Sequence, residues 1–426
     1  MSKERAGSAR PITGVPSLGW FHRYPARFSN STLAQMLSNV RHRLGHTFKM
    51  VLDPFAGTGS TLAAARGLGI ESVGIELTPL GCLIAEVRLN PPSDLNQAVR
   101  VAELLARISP TRRKASLPKT LIEWIGHDNA SVLNSCALEI ENVTDTKMQD
   151  WLRLAISSAL RASSCWLPGS IKAQRDPDRV PPPIGPNIIR AARALHRDCL
   201  LEGAGSRSQV KATILRSDAR SLPLASEFVD AVITSPPYWN MYDYVGVHRL
   251  SYLAFGWRQK IEQQIGRTYG IEKDGNGFIP PVAMRKWYEE KFGGESLHLA
   301  RSLRDYVTAM RAHFKEVHRV LRPGGVIAYA VGDTTRSGSR FRLVGAFREI
   351  IEEAGFQRIS IVSRRGSHRR ILPAGRNLIT GRFTSTQLSA SVYEKVIYAT
   401  KCGNADGVKR KAKPEICADA RTSKAG

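Results

Sequence analysis

A stiff turn that carries two hydrogen-bond acceptors and an aromatic ring follows the apolar run FVDAVI. The turn is Ser235-Pro236-Pro237-Tyr238, within the sequence TSPPYW. Each proline fixes its own φ and lacks an N–H, so the pair cannot continue a sheet ladder. The Ser235 hydroxyl and the Pro236 carbonyl are therefore acceptors held close together, which lowers the cost of positioning a substrate. They suit the two N–H groups of an aromatic amine, and the Tyr238 ring offers a face on which its ring could stack.

A second candidate site is the sequence DPFAGTGST, from Asp53 to Thr61, at a predicted strand-to-helix junction. Gly57 and Gly59 allow a tight turn and a close approach of the backbone to a ligand. The N-terminus of the following helix offers free N–H groups. The Asp53 carboxylate would repel a pyrophosphate and suits a cationic amine instead.

An acidic residue, Glu76, ends the next predicted strand in the sequence GIEL. A carboxylate about 20 residues beyond a glycine turn suits hydrogen bonds to the two hydroxyls of a ribose. Together with Asp53, it favours a ligand that contains both a ribose and an amine.

These motifs resemble those of the S-adenosylmethionine-dependent amino-methyltransferases of DNA. DPFAGTGST resembles their motif I, often written DPFxGxGT, and SPPY resembles the [D/N/S]PP[Y/F/W] motif that follows their fourth strand. The resemblance implies S-adenosylmethionine as the cofactor, with the methionine ammonium near Asp53 and the ribose on Glu76. The remaining cofactor-binding residues that it implies in motif I are Phe55, Ala56, Gly57, Thr58 and Gly59.

Two further segments add to the resemblance. FHRYPARF resembles motif X of the family, often H-x-Y-P-A-K-F, with Arg27 where lysine is common. It implies that Tyr24 and Phe28 lie beside the methionine end of the cofactor, although both could be core aromatics. Asp218, in RSDARSLPL, stands where the family contacts the adenine of the cofactor, but it could equally be a turn residue.

The implied reaction is a direct in-line transfer of a methyl group to the exocyclic amine of a base, with no metal and no covalent enzyme intermediate. Such a base must leave the DNA duplex, so base flipping is implied. Ser235 where many relatives carry aspartate favours cytosine N4, because a hydroxyl can also donate to cytosine N3, whose lone pair a carboxylate would repel. Adenine N6 stays open as an alternative. An RNA methyltransferase and an inactive basic nucleic-acid-binding protein rank lower.

Apolar runs and helical periodicities alternate along most of the chain, which predicts an α/β fold. We expect a doubly wound, mostly parallel, seven-stranded Rossmann-like methyltransferase sheet with an inserted helical subdomain. The predicted segments are a flexible N-terminus (1–17), a cofactor-binding half (18–92), a helical insertion (93–208), a catalytic half (209–402) and a basic disordered tail (403–426).

The net charge of +25 and the pI of about 10.2 point to a polyanionic partner. Double-stranded DNA is the predicted partner, and the resemblance implies a cognate restriction endonuclease as a further candidate. The six cysteines form no CxxC pair, no apolar run reaches the length of a membrane span, and no signal peptide is recognisable. A cytoplasmic protein without a metal or membrane partner is expected.

Reading a DNA sequence requires side chains at base edges. Candidates for this role are the helical insertion with its basic stretch 111–114, the segment 268–281, and the arginine-rich loop 364–377. Tyr242 and Tyr244 could line the rim of the base pocket. The sequence does not rank these regions.

Overall fold

The structure is a computed structural model, and it describes most of the chain. The described residues are 19–24, 28, 30–46, 48–109, 117–203, 210–239, 243–257, 265, 279–285, 297–336, 339–365, 375–376, 383–384 and 393–403. The predicted N-terminus (1–17), the tail beyond Gly403, the stretch 111–114, Tyr242 and most of 268–281 and 364–377 lie outside them.

A seven-stranded sheet in the described residues forms the centre of the fold, with the strand order β3-β2-β1-β4-β5-β11-β8. The first five strands run parallel to one another, and β11 runs antiparallel to both β5 and β8. The strands are β1 (Met50–Asp53), β2 (Glu71–Glu76), β3 (Ala212–Arg216), β4 (Val229–Thr234), β5 (Leu321–Val331), β6 (Thr334–Arg336), β7 (Ser339–Phe341), β8 (Gln357–Arg365), β9 (Gly375–Arg376), β10 (Phe383–Thr384) and β11 (Tyr393–Thr400). The predicted fold class is thereby confirmed.

Helices cover both faces of this sheet and fill the stretch between β2 and β3. They are α1 (Asn30–Leu44), α2 (Ser60–Gly67), α3 (Pro79–Leu89), α4 (Leu95–Leu105), α5 (Lys119–Glu141), α6 (Thr146–Leu160), α7 (Ile184–Leu201), α8 (Tyr244–Val247), α9 (Arg249–Ala254), α10 (Leu297–Val320) and α11 (Leu343–Glu353). None of the helices in the described part of the chain is long and apolar enough to cross a membrane.

Of the four apolar clusters among the described residues, three are large and hold these layers together. One lies between the sheet and helices α10 and α11, and a second lies between α1 and the opposite face. The third joins helices α4 to α7 with α3, with the α8–α9 region and with the aromatic residues Phe21 and Tyr24. Because burial of apolar surface is the main stabilising term in folding, the helices between β2 and β3 are attached to the rest of the protein through this shared core. The domain boundaries themselves stay a prediction.

Candidate active site

The candidate residues gather at the carboxyl ends of β1, β2 and β4. In parallel α/β sheets, ligands bind beyond these ends, near the point where the strand order reverses. Here that point lies between β1 and β4, since β1 pairs with β2 on one side and with β4 on the other. The glycine turn follows β1, and the proline turn follows β4, so the two motifs are neighbours at one edge of the sheet.

Asp53 ends β1 and is only 2% exposed. Its Oδ1 accepts a hydrogen bond from the Thr234 hydroxyl at 2.6 Å and one from the backbone N–H of Phe55 at 3.1 Å. Burial raises the pKa of this carboxyl to about 6, and the Thr234 hydrogen bond opposes part of that shift. The Thr234 bond ties the end of β4, directly before Ser235, to the end of β1.

Glu76 ends β2 and is 8% exposed. Its Oε2 accepts from the N–H of Gly57 at 2.9 Å, and its Oε1 accepts from the N–H and the hydroxyl of Thr78 at 2.7 and 2.6 Å. Burial raises the pKa of Glu76 despite these bonds. A Cβ on Gly81, in α3, would lie 2.7 Å from the Glu76 Cδ. A glycine at position 81 is therefore required to leave room for the carboxylate.

Neither Asp53 nor Glu76 forms an ion pair with any residue that the structure describes; their hydrogen bonds come from N–H and hydroxyl groups. Burying two carboxylates without a counter-charge costs folding free energy. Groups kept at such a cost are concentrated at ligand-binding and catalytic sites. A ligand with a cationic group and hydroxyl donors would fit these two acceptors.

The glycine turn has the backbone that its sequence predicts. Gly57 has a φ of 51° and Gly59 a φ of 73°, both in the left-handed region that favours glycine. A Cβ on Gly59 would lie 3.0 Å from the Ala85 Cβ of α3. Within the turn, Phe55 is half-buried, whereas Ala56 and Thr58 are buried.

The two motif X aromatics lie in different places. Tyr24 is buried beside the glycine turn, where a Cβ on Gly57 would lie 3.6 Å from its Cε1, and its hydroxyl lies 3.5 Å from the Thr78 Oγ1. Its ring stacks on His248, at 5.2 Å between centroids. Phe28 is half-buried and packs against the core beneath α1. The structure thus brings Tyr24, but not Phe28, against the residues of motif I.

Asp218 follows β3 and forms an ion pair with Arg220, whose Nη2 lies 2.6 Å from Oδ2. Burial alone would raise the pKa of Asp218, but the hydrogen bonds and charge of Arg220 lower it below its usual value. Next to it, the backbone carbonyl of Ala219 lies 2.9 Å from Nδ1 of the buried His313. The His313 ring also packs on Phe55, at 4.6 Å between centroids, and so connects the Asp218 loop to motif I.

The proline turn is attached to helix α10 by two hydrogen bonds. The Tyr306 hydroxyl donates to the Pro237 carbonyl at 3.0 Å, and the Trp239 indole N–H donates to the Ser302 hydroxyl at 3.0 Å. Ser302 and Tyr306 are four residues apart and so share one face of the helix. Within the turn, Pro236 is buried, whereas Ser235, Pro237 and Tyr238 are half-buried.

Several of these supporting residues were missed by the sequence analysis. Thr78 had a usable signal, because a threonine before a proline is typical of a helix start. Thr234 immediately precedes the proline turn. Tyr306 and His313 had no local signal, since their partners Pro237 and Ala219 are 69 and 94 residues away.

Comparisons with known proteins agree with the motifs. A family model described as DNA methylase (N6_N4_Mtase) matches residues 4–86 and 229–403, which is more than half of the chain. The type II methyltransferase M.AvaI of a Nostoc species is 25% identical over 278 residues, 57% of this chain and 54% of that protein. M.BsoBI of Geobacillus stearothermophilus is 22% identical over 410 residues, 80% of this chain and 78% of that protein. The chain spans about half the length of M.AvaI.

Two of the solved structures that resemble this chain show low sequence identity. The rRNA methyltransferase AviRa of Streptomyces viridochromogenes is 14% identical, with 93% of this chain and 94% of that chain covered and a TM-score of 0.29. A Thermus thermophilus protein solved with S-adenosyl-L-methionine is 18% identical, with 47% and 57% covered and a TM-score of 0.25. Superpositions this distant carry no inference about function. From the sheet order and the match to both motif-bearing segments, the chain belongs to the DNA methylase family, whose members depend on S-adenosylmethionine.

Proposed function

We propose that the protein transfers a methyl group from S-adenosylmethionine to the N4 amine of a cytosine flipped out of double-stranded DNA. The observation that carries this proposal is the 2.6 Å hydrogen bond between Thr234 and Asp53. This bond connects the proline turn, which suits an aromatic amine, to the Asp53 carboxylate, which suits the ammonium of the cofactor.

At the cofactor end, the proposed binding residues are those of motif I with Tyr24, Glu76 and Asp218. When bound, the cofactor supplies an activated methyl group on a cationic sulfur. Asp53 would attract the ammonium of its methionine part, and Glu76 would accept hydrogen bonds from the ribose hydroxyls. The absence of an ion-pair partner for either carboxylate in the described residues supports this assignment. Phe28 would act only indirectly, through the core beneath α1.

At the substrate end, the Ser235 hydroxyl and the Pro236 carbonyl would accept the two N–H groups of the amine. The amine lone pair is normally delocalised into the base ring, and orienting the N–H groups in this way directs it towards the methyl group. The C–N bond would form as the C–S bond breaks, with the electron pair of that bond left on the sulfur, and the amine would release one proton to the solvent. Pro237 stiffens the turn, and Tyr238 stacks on the base. The contribution of these residues is positioning rather than acid–base chemistry.

The serine at position 235 is the reason for choosing cytosine N4. Its neutral hydroxyl accepts from the amine and can also donate to cytosine N3. Adenine N6, the alternative, also lies beside a ring nitrogen, N1, that accepts a hydrogen bond, so the choice rests on the resemblance, in which SPPY mostly accompanies cytosine N4 and DPPY mostly accompanies adenine N6. Sequencing that detects both modified bases, applied to DNA from cells that express the gene, tests the choice. We expect N4-methylcytosine at one short sequence; N6-methyladenine there would reassign the base, and unmodified DNA would contradict the proposal.

The charge of the chain supports DNA as the partner. A net charge of +25 favours binding to phosphates and makes the affinity fall with salt. The relatives named above are type II methyltransferases, and a cognate restriction endonuclease therefore stays a proposal for this chain. Target recognition by the helical insertion and a cytoplasmic location likewise remain predictions.

A further inference from the structure

The side chain of Arg88, in α3, is fully buried and joins three distant segments. Its Nη1 donates to the carbonyl oxygen of Thr58, and also to the Thr58 hydroxyl at 3.0 Å and the Ser60 hydroxyl at 3.2 Å. Its Nη2 donates to the Gly19 carbonyl at 2.9 Å. One guanidinium thus holds both the glycine turn and the start of the segment that carries Tyr24. The planar fork of an arginine suits such a fixed arrangement better than lysine does.

The counter-charge of Arg88 comes from the helical insertion. Glu202, directly after α7, has a side chain that is 4% exposed, and both of its carboxylate oxygens lie 3.2 Å from the Arg88 Nε. Its Oε1 also accepts from the N–H of Gly19 at 2.7 Å. A buried guanidinium requires such a partner, because an unpaired charge in the interior is strongly unfavourable.

The segment 19–24 contacts the insertion at two further points. One turn before Glu202, the Asp198 carboxylate accepts from the N–H of Phe21 at 2.8 Å. A Cβ on Gly19 would lie 2.6 Å from the Asp198 Cβ, so this approach requires glycine. The buried His22 places its Nε2 3.0 Å from the Ser157 hydroxyl of α6. Residues 19–24, which place Tyr24 beside Gly57, are therefore held in position by contacts with α6 and α7.

We propose that the insertion frames the cofactor pocket, with Arg88 and Glu202 as positioning residues for the glycine turn and for Tyr24. This inference rests on the proposed function. The Arg88–Glu202 pair orders the glycine turn and residues 19–24 before the cofactor binds, so cofactor binding does not have to supply the free energy of ordering them. Without the pair, the binding-competent turn is populated only in part, and the apparent affinity falls by that fraction.

The test compares two chemically identical changes. Glu202→Gln removes the buried counter-charge, whereas Glu103→Gln removes a half-buried carboxylate that lies 2.7 Å from the exposed Arg193 of α7. Calorimetric titration with S-adenosylmethionine is carried out below the melting temperature of each variant. We expect Glu202→Gln to raise the dissociation constant about tenfold and Glu103→Gln to change it less than about twofold.

The outcomes separate the two proposals. Glu202→Gln with a lowered melting temperature but the wild-type dissociation constant assigns the pair to stability alone and overturns the inference. A wild-type protein that does not bind S-adenosylmethionine overturns the proposed function instead. Should Glu202→Gln fail to fold, Asp198→Ala, which removes the acceptor for the Phe21 N–H, tests the same frame: affinity about threefold weaker supports it, and unchanged affinity contradicts it.

Discussion

The two turns at the edge of the sheet are held in place by opposite means. The glycine turn after β1 has residues that favour no single conformation, and it is fixed from outside by buried charged groups: Glu76 on the N–H of Gly57, and Arg88 on Thr58. The proline turn after β4 is stiff by its own covalent structure, and it is held further by the Thr234–Asp53 bond and by neutral hydrogen bonds from α10. A turn that approaches a ligand closely needs glycines, which do not restrict the backbone. Its conformation must then be fixed by residues from distant parts of the chain.

The largest expected effect follows from the buried charge pair. We expect Arg88→Met to lower the free energy of unfolding by roughly 3–5 kcal/mol, because it leaves the Glu202 carboxylate buried without its counter-charge. Arg193→Met, which removes the exposed pair with Glu103, should cost at most about 1 kcal/mol. Denaturant unfolding followed by circular dichroism measures both. Equal losses in the two variants would show that the glycine turn does not depend on buried charge.

The glycine turn should also be intolerant of any side chain. We expect Gly57→Val to weaken cofactor binding by more than about 100-fold, because the left-handed backbone and Tyr24 leave no place for a branched side chain. Gly69→Val is the matched control, since Gly69 has a φ of 72° but no atom within 4 Å of an added Cβ. Calorimetry with S-adenosylmethionine distinguishes them, and wild-type affinity in Gly57→Val would refute the proposed pocket.

Removing a hydrogen bond that holds the proline turn should lower the turnover rate without changing the affinity for the cofactor. We expect Tyr306→Phe to lower kcat about tenfold with the cofactor dissociation constant unchanged, because the Pro237 carbonyl loses its donor while the ring still packs. Tyr398→Phe removes a buried hydroxyl that accepts from Asn39 at 2.9 Å, in the core beneath α1, and should leave kcat unchanged. Equal kcat values for the two variants would mean that α10 does not position the turn.

A smaller, graded effect is expected from pH. Burial raises the pKa of Asp53 to about 6, so this carboxyl takes up a proton as the pH falls through that value. Only the ionised form attracts an ammonium, and we therefore expect the cofactor dissociation constant to rise by up to about tenfold per pH unit below about pH 6. Asp53→Asn keeps an acceptor for Thr234 and should bind weakly at all pH values. The same slope in Asp53→Asn would show that another group titrates.

The difference between the turns also explains what the sequence could predict. The glycine turn and the proline turn directly follow recognisable strands, and Glu76 ends one, so the local sequence pattern predicts their positions. The anchors come from far along the chain: Arg88 and Glu202 are 114 residues apart, and each looks like an ordinary charged helix residue. Their burial depends on how the helices between β2 and β3 pack on α3, which no local pattern specifies.

Element boundaries show the same limit on a smaller scale. LRPGG, where Pro323 and Gly324 break helices, predicts a helix end, which is correct to one residue, and a strand that starts only at the glycines, which is wrong. In the structure α10 ends at Val320, and β5 begins directly at Leu321, where its pairing with β4 is irregular. The proline is tolerated in this strand because it lies at the irregularity rather than in the regular ladder. The start of β5 is therefore set by its pairing with β4 rather than by the local sequence.

The central claim, that the proline turn presents a DNA amine to the cofactor, is tested most directly by turnover of Ser235→Ala. Purified wild-type and variant proteins are given duplex DNA that contains the modified sequence and S-adenosylmethionine with a labelled methyl group, and the products are analysed as nucleosides. We expect N4-methylcytosine from the wild type, and a rate more than about 100-fold lower from Ser235→Ala with cofactor affinity within about twofold. An unchanged rate in Ser235→Ala would contradict the account.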